Sequence, residues 1–289
     1  MTVAGILLVD KPVGPTSHDL VQRVRRLAGT RRVGHAGTLD PAASGLLLLG
    51  IDAATRLLTH LVGLDKTYRA TIRLGTATTT DDAEGEPVGE RHDVDAAALA
   101  GLAAAVAALT GPIDQVPSSV SAIHVAGRRA HELVRAGEKV DLPARRVTVS
   151  RFEVEQVRGS DLDVVVECSS GTYVRALARD LGTALGVGGH LTALRRTRIG
   201  PFRVEEAAPL TAPLAVTDPA DVATRLFPPL PLTAEQTVAL QQGKRLALPD
   251  ASDAETVAAI APDGRLVGLA RVQSGVASVV LNLPPGAAA

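Results

Sequence analysis

A chain of 289 residues that is 46% hydrophobic and 21% charged holds enough apolar sequence for two cores at roughly 150 residues each, which excludes a wholly disordered chain. No apolar run approaches the roughly 20 residues of a membrane span. No basic-then-apolar leader opens it, and the one cysteine, Cys168, excludes an internal disulfide and any multi-cysteine metal site, so a cytoplasmic, soluble protein is expected. The formal net charge of -1 conceals segregation: residues 171–203 hold six Arg against one Asp, while residues 76–99 hold seven acids against Arg91. Local potential rather than net charge attracts phosphates, so a basic surface on a neutral protein is compatible with a nucleic-acid partner. Only four of the 30 basic residues are Lys, which fits a coding bias as well as a use for the guanidinium fork.

Residues 5–10 (GILLVD) read as a short buried strand and Lys11 to Pro15 as a turn. Thr16 or Ser17 can cap a helix whose apolar positions Leu20, Val21, Val24 and Leu27 share a face, with Gly29 ending it. Residues 30–44 carry no periodic apolar pattern and read as a loop. A strand at 45–51 and a helix near 53–62 follow. KTYRATIRL (66–74) alternates as a half-buried strand does. The acidic stretch 76–95 reads as a solvated loop, and 96–110 as an alanine-rich helix. Residues 112–146, with prolines, a Ser cluster and a basic helical piece from Arg128 to Arg135, have the character of an insertion. A hairpin is expected over 146–157 and 161–168 around Gly159, then a helix from Gly171-Thr172 to about Leu185, a short segment HLTALRR and the strand-like RIGPFRVEE. Prolines at 209–231 suggest a boundary. Beyond it, a helix at 233–243 and strands near 256–261, 265–272 and 277–282 predict a small β-rich domain with a disordered PPGAAA tail.

Asp40 lies in GHAGTLDP (34–41), a loop whose glycines and following proline impose an unusual backbone path. A carboxylate presented from such a loop suits catalysis, although a turn Asp before Pro is common in itself. The chain has no Trp and two tyrosines, Tyr68 and Tyr173. Both stand beside arginines (KTYR, GTYVR), which fits base stacking or a buried ion-pair neighbourhood. Arg175 opens a helix next to Tyr173 and Arg179 follows a turn later; either can pair with a carboxylate or simply be solvated. The seven His form no HExxH and none pairs with Cys, so no metal is expected. No GxxxxGK[ST] or GxGxxG supplies a nucleotide cradle, and no GxSxG elbow appears. Two-carboxylate glycosidase chemistry needs a second acid, for which Asp82 is available.

The ordered set GILLVDKPVGPTSHDLV, GHAGTLDPAASGLLLL, KTYRATIRLG, SGTYVRALARDLG and LTALRRTRIGPF closely resembles the bacterial tRNA pseudouridine synthases of the TruB type, which modify the T-loop uridine at position 55. The resemblance covers residues 5–203, with GHAGTLDP the most specific motif. The segment SSVSAIHVAGRRAHELVRAG resembles the extra RNA-gripping subdomain of those enzymes, against the guide-RNA-dependent type. The C-terminal 60 residues resemble a small PUA-like barrel more weakly. The implied fold is α+β, a mixed, mainly antiparallel sheet flanked by helices: a catalytic domain over 1–228 with the insertion at 112–146, and a C-terminal domain over 229–289.

The resemblance also implies roles. Asp40 takes the place of the catalytic aspartate, Tyr68 of the stacking tyrosine, and Arg175 of the arginine paired with the catalytic carboxylate. Tyr173 is its neighbouring tyrosine, His35 the histidine that props open the RNA loop, Leu194 an apolar contact beside the target base, and Asp82 an acid holding the pocket. Lys11 and Pro12 match the motif that braces the active-site loop. Arg129, Arg195 and Arg196 fall among the groups at 23–32, 128–135 and 195–203 that would contact phosphates. Isomerising uridine breaks one glycosidic bond and forms another, importing nothing, so no cofactor is implied. It needs one ionised carboxylate, an aromatic platform for the detached base, and a flipped-out target. tRNA is the implied partner, with no guide RNA or obligate protein partner, and a monomer is expected. Thr79 replaces an acid in TTTDDAEG, and Val120 and His131 stand where aromatics are more usual, which puts the insertion's fine contacts in doubt. The rival of another class is an RNA-binding module or tRNA-folding chaperone.

Overall fold

A computed structural model of the chain describes residues 4–119, 124–125, 128–129, 142–211 and 213–284. They belong to two compact units, one of Met1–Pro41, Gly45–Val62 and Pro201–Ala289, the other of Ala42–Ser44 and Gly63–Gly200.

The first unit begins with β1 (Gly5–Lys11), α1 (Ser17–Ala28), β2 (Val33–Ala36) and β3 (Ala43–Ile51). A 3₁₀ turn (Asp52–Leu57) and α2 (Leu58–Val62) follow. β3 carries the run Leu46–Leu49, all fully buried, as a strand covered on both faces requires. β1 and β2 both pair with it antiparallel, Gly5 and Val33 each opposite Ile51. Leu20, Val21 and Val24 of α1 pack on Leu7, Val9, Leu47 and Leu49. Thr16 is the cap, forming a reciprocal box with Asp19, and Gly29 ends α1 at φ 64°. The expected loop at 30–44 is interrupted by β2, a four-residue strand held by its pairing with β3 rather than by any alternation of its own.

The second unit is built on β4 (Lys66–Leu74). Two-residue strands β5 (Ala77–Thr78) and β6 (Pro87–Val88) pair with each other, α3 spans Leu102–Ala108, and β7 spans Gly111–Gln115. Strands β8 (His124–Val125) and β9 (Arg128–Arg129) form a minimal pair. Next come β10 (Arg145–Arg158), β11 (Asp161–Cys168), α4 (Val174–Ala184) and β12 (Gly189–Ile199). The strands run β12-β4-β11-β10-β7, every pair antiparallel. In β4, Lys66, Tyr68, Ala70, Ile72 and Leu74 are all buried while the residues between them are not. Three expectations change here. Gly111–Gln115 is a sheet strand, not insertion; its Pro112 is tolerated because β7 is the edge. The helix expected from residue 96 starts only at Leu102. Arg128 and Arg129 lie in a strand rather than a helix, while Val120, His131 and the remainder of that segment lie outside the described residues.

The chain returns to the first unit with β13 (Phe202–Arg203), a 3₁₀ turn at Val204–Glu206 and α5 (Pro219–Thr224). Then come β14 (Pro229–Pro231), α6 (Ala234–Gln241), β15 (Leu246–Ala247), β16 (Ala254–Ile260), β17 (Leu266–Gln273) and β18 (Val276–Asn282). The five C-terminal strands order as β14-β16-β17-β18-β15, with β14 alone parallel to its neighbour. Leu240 of α6 packs with Val257, Val267, Ala270 and Val272. The proline-rich stretch is not a bare linker: Thr217 exchanges hydrogen bonds of 3.0 and 2.8 Å with Ile6, and Ala208 N–H donates to Leu8. The tail beyond residue 284 lies outside the described residues.

Candidate active site

In the first unit the loop that carries Asp40 is pinned on both sides of that residue. Ser17 is buried in the first turn of α1, and its Oγ donates to the Leu39 carbonyl (3.1 Å) and accepts from the Leu39 N–H (2.9 Å). Because Thr16 already caps the helix, the Ser17 hydroxyl is available for this second task. On the other side, the fully buried Lys11 ammonium donates to the carbonyls of Pro12 and Pro15, both at 2.9 Å, and of Pro41 at 3.4 Å. The Gly14 N–H adds a 2.9 Å bond to Pro41. Lys11 thus ties the KPVGP turn to the residue after Asp40. Gly37 takes φ 87°, a value that a side chain would strain. Asp40 and His35 are both partly exposed, and His35 sits on β2 opposite Leu49.

In the second unit Tyr68 is buried on β4, opposite Val166 of β11 and Arg196 of β12. Leu194 lies opposite Ala70, two residues along, so it shares the Tyr68 face. Arg195 lies opposite Arg69 on the other face and is half-buried, whereas Arg196 is 1% exposed. The two adjacent arginines, grouped in the sequence as phosphate contacts, therefore have different surroundings, and Arg196 is withdrawn from the surface where such contacts are made. Arg129 is on β9.

Tyr173 precedes α4, and Arg175, in its first turn, is 5% exposed. The Arg175 guanidinium donates to the Thr80 carbonyl (2.9 Å) and faces the Asp82 carboxylate at 3.5 Å. One turn on, Arg179 pairs with Asp81 at 3.1 Å. Both aspartates are under a tenth exposed, which corrects the reading of 76–95 as wholly solvated. Seven acids in a short stretch look like a hydrated loop; two of them are buried because two arginines spaced by one helical turn meet them, and buried charges persist only when paired. Asp82 is further engaged by the Thr80 hydroxyl and the Glu84 N–H. A carboxylate so occupied is a structural acid, and the two-carboxylate glycosidase reading loses its second member.

Sequence reasoning missed Lys66. It is 5% exposed on the Tyr68 face, with its ammonium donating to the Leu64 carbonyl (2.6 Å) and Ser170 Oγ (3.2 Å). Burial, and then the neighbouring Arg196 charge, bring its pKa down to about 8. Burial likewise pushes the Cys168 thiol up to about 11. Lys66 is one of four lysines in the chain, the one signal that set it apart. A cleft of about 620 Å³ lined by Arg73, Thr76, Arg91, His92, His190 and Thr192 contains none of the expected site residues.

The chain is thus an α+β protein built mainly on antiparallel sheets, with a braced Asp loop in one unit and a tyrosine and buried Arg–Asp pairs in the other. Among solved structures, a Cbf5-Nop10-Gar1 complex aligns at TM-score 0.71 with 25% identity, covering 97% of this chain and 84% of that one. A chain of an H/ACA RNP bound to a substrate RNA containing 2'-deoxyuridine shares the fold at TM-score 0.71 and 24% identity, over 99% and 87% of the two chains. Residues 25–174 match the TruB family pseudouridylate synthase N-terminal domain, 175–214 the tRNA pseudouridylate synthase B C-terminal domain, and 227–284 the tRNA pseudouridine synthase II C-terminal domain. The tRNA pseudouridine synthase B of Leifsonia xyli is 55% identical over 295 residues, 98% of each chain, and that of Arthrobacter sp. strain FB24 is 54% identical over 299 residues, 98% of this chain and 97% of that protein. The chain belongs to the TruB family.

Proposed function

We propose that this TruB-family chain is a tRNA pseudouridine synthase that isomerises the T-loop uridine at position 55, with Asp40 as its catalytic carboxylate. The observation that carries the assignment of Asp40 is the double anchorage of its loop, Ser17 on Leu39 and Lys11 on Pro41. A free surface aspartate needs no such bracing, whereas a reacting carboxylate must be held to a fraction of an ångström.

The reaction is an intramolecular transfer. The N1–C1' bond of uridine breaks, the uracil turns, and C5 forms the new bond to C1'; the C5 proton leaves to solvent and N1 gains one. In this reading Asp40 is the nucleophile or base and Arg175 is the cation of the site. Tyr68 is the platform on which the detached uracil rests, with Leu194 beside it and Tyr173 next to Arg175. His35 fills the space vacated by the flipped base. Arg129 and Arg195 hold phosphates. In this reading residues 1–228 form the catalytic domain and 229–289 a PUA-like domain, and the protein works as a cytoplasmic monomer without cofactor, guide RNA or protein partner. Among the described residues no helix is long and apolar enough to cross a membrane.

The test is an unmodified tRNA transcript tritiated at C5 of uridine, given to the wild type and to Asp40→Asn. Release that stops near one equivalent per tRNA for the wild type, and is absent for the variant with tRNA still bound, is the expected result. Full release from Asp40→Asn removes its catalytic role. No release from either, with RNA bound, leaves the tRNA-folding chaperone.

A further inference from the structure

We infer that Gln115 and Arg179 are positioning residues for this reaction, together fixing the start of α4 that carries Tyr173 and Arg175. The inference rests on the proposed function only in taking Arg175 as part of the reacting site.

Gln115 closes β7 and is 2% exposed. Both ends of its amide are spent on one residue: Nε2 donates to the Tyr173 carbonyl at 3.1 Å and Oε1 accepts from the Tyr173 N–H at 2.8 Å. Tyr173 is the residue before the first turn of α4, and no side chain of its own caps that helix. An amide reaching across from another strand thus holds the backbone of the residue at the helix start by both its N–H and its carbonyl. A buried amide without partners would be costly. This one is fully used, and on the residue two before Arg175.

Arg179 supplies the second hold. Its Nη2 donates to the carbonyl of Val116, the residue after Gln115, at 2.7 Å, while Nη1 meets Asp81 at 3.1 Å and Nε meets Asp180 at 2.9 Å. Asp81 has φ 61°, a left-handed conformation that residues other than glycine adopt sparingly. Its carbonyl accepts from Leu191 N–H at 3.0 Å, and its carboxylate is held by Arg179. The residue after it is Asp82, which faces Arg175. Arginines one helical turn apart therefore grip consecutive aspartates, and the outer one is bolted to the end of β7. An exposed ion pair contributes little, but the Asp81 side chain is only 11% exposed and that of Arg179 26%. The network converges on the aim of one guanidinium.

The experiment compares full-length wild type, Gln115→Met and Arg179→Lys on C5-tritiated tRNA. Methionine keeps the volume of Gln115 and removes both hydrogen bonds; lysine keeps the charge of Arg179 and removes the simultaneous reach to Val116 and Asp81. Each is expected to lower kcat by on the order of 10- to 100-fold, as misplacement at a site does, while KM and the tRNA Kd stay within about twofold of wild type. Circular dichroism melts establish that the assay temperature lies well below the transition. Wild-type kcat in a folded Gln115→Met overturns the inference, as does a rise in KM with kcat unchanged. If Gln115→Met does not fold, the same split is read from Arg179→Lys. Wild-type release is the control that separates the readings: its absence overturns the assigned reaction and this inference together, whereas normal release with unchanged variants overturns the positioning role alone.

Discussion

The ammonium of Lys66 is held in a nearly dry place by two hydrogen bonds while Arg196 repels it, and its pKa of about 8 lies below the ordinary lysine value of 10.5. Between those two values the unfolded chain binds more protons than the folded one, so the penalty for burying the charge is full below pH 8 and is relieved as pH rises toward 10.5. Relative to Lys66→Met, the wild type should therefore gain stability on going from pH 7 to pH 9.5, by at most roughly 2 kcal/mol. Denaturant titrations of both proteins at the two pH values check this, and an unchanged difference contradicts it. Ser17 makes a prediction of another kind. Ser17→Ala leaves the N–H and carbonyl of Leu39 without their hydroxyl, at a cost of about 1–3 kcal/mol, and frees the loop beside Asp40. Turnover should fall at temperatures where the variant is fully folded, and unaltered turnover would argue that the brace is not needed. Asp40 and Tyr68 stand out as candidates in the sequence because their immediate neighbours are unusual. Lys66, Ser17 and Gln115 do not, because what distinguishes them is burial and the partner across the fold.

Elements with their own periodicity were legible, and those made by their neighbours were not. Helix α1 announces its cap, its apolar face and its terminal glycine, and β4 alternates through nine residues. The hairpin of β10 and β11 turns at Gly159, which takes φ 62°, as read. By contrast β2, β5 and β7 are short and exist through pairing, so no local pattern reports them. The approach of α4 to the turn before β12 was equally silent. A Cβ on Gly182 would stand 2.2 Å from backbone atoms of Gly188 and Gly189. Gly182→Ala must push the helix away and should destabilise by roughly 1–3 kcal/mol, visible as a lower melting temperature. At the other end of the scale, Thr16→Ala removes a cap that shares its work with the Asp19 box and should cost about 1 kcal/mol.

For the whole molecule, charge is separated along the chain although the formal total is -1. If tRNA is held through local arginine surfaces, its affinity should fall steeply with salt, by about 0.7–0.9 in the log–log slope for each phosphate neutralised. Arg195→Ala should lower that slope by about one. A slope near zero would contradict phosphate-dominated binding. The ordered motifs carried the fold class through their resemblance to the TruB-type enzymes. They carried neither the buried Arg–Asp grip nor the attachment of the proline-rich stretch to β1, both of which are long-range pairings. One residue left aside by every role above offers a view of how the sheet moves. The thiol of Cys168 is 1% exposed, and at neutral pH it is almost wholly protonated because burial raises it to about 11. Alkylating reagents attack thiolates they can reach, so the folded protein should resist them, and each labelling event will count an opening of β11. The sequence has thus placed a stopwatch next to Lys66, and its rate with and without tRNA would time the breathing of the strand paired with the one that carries Tyr68.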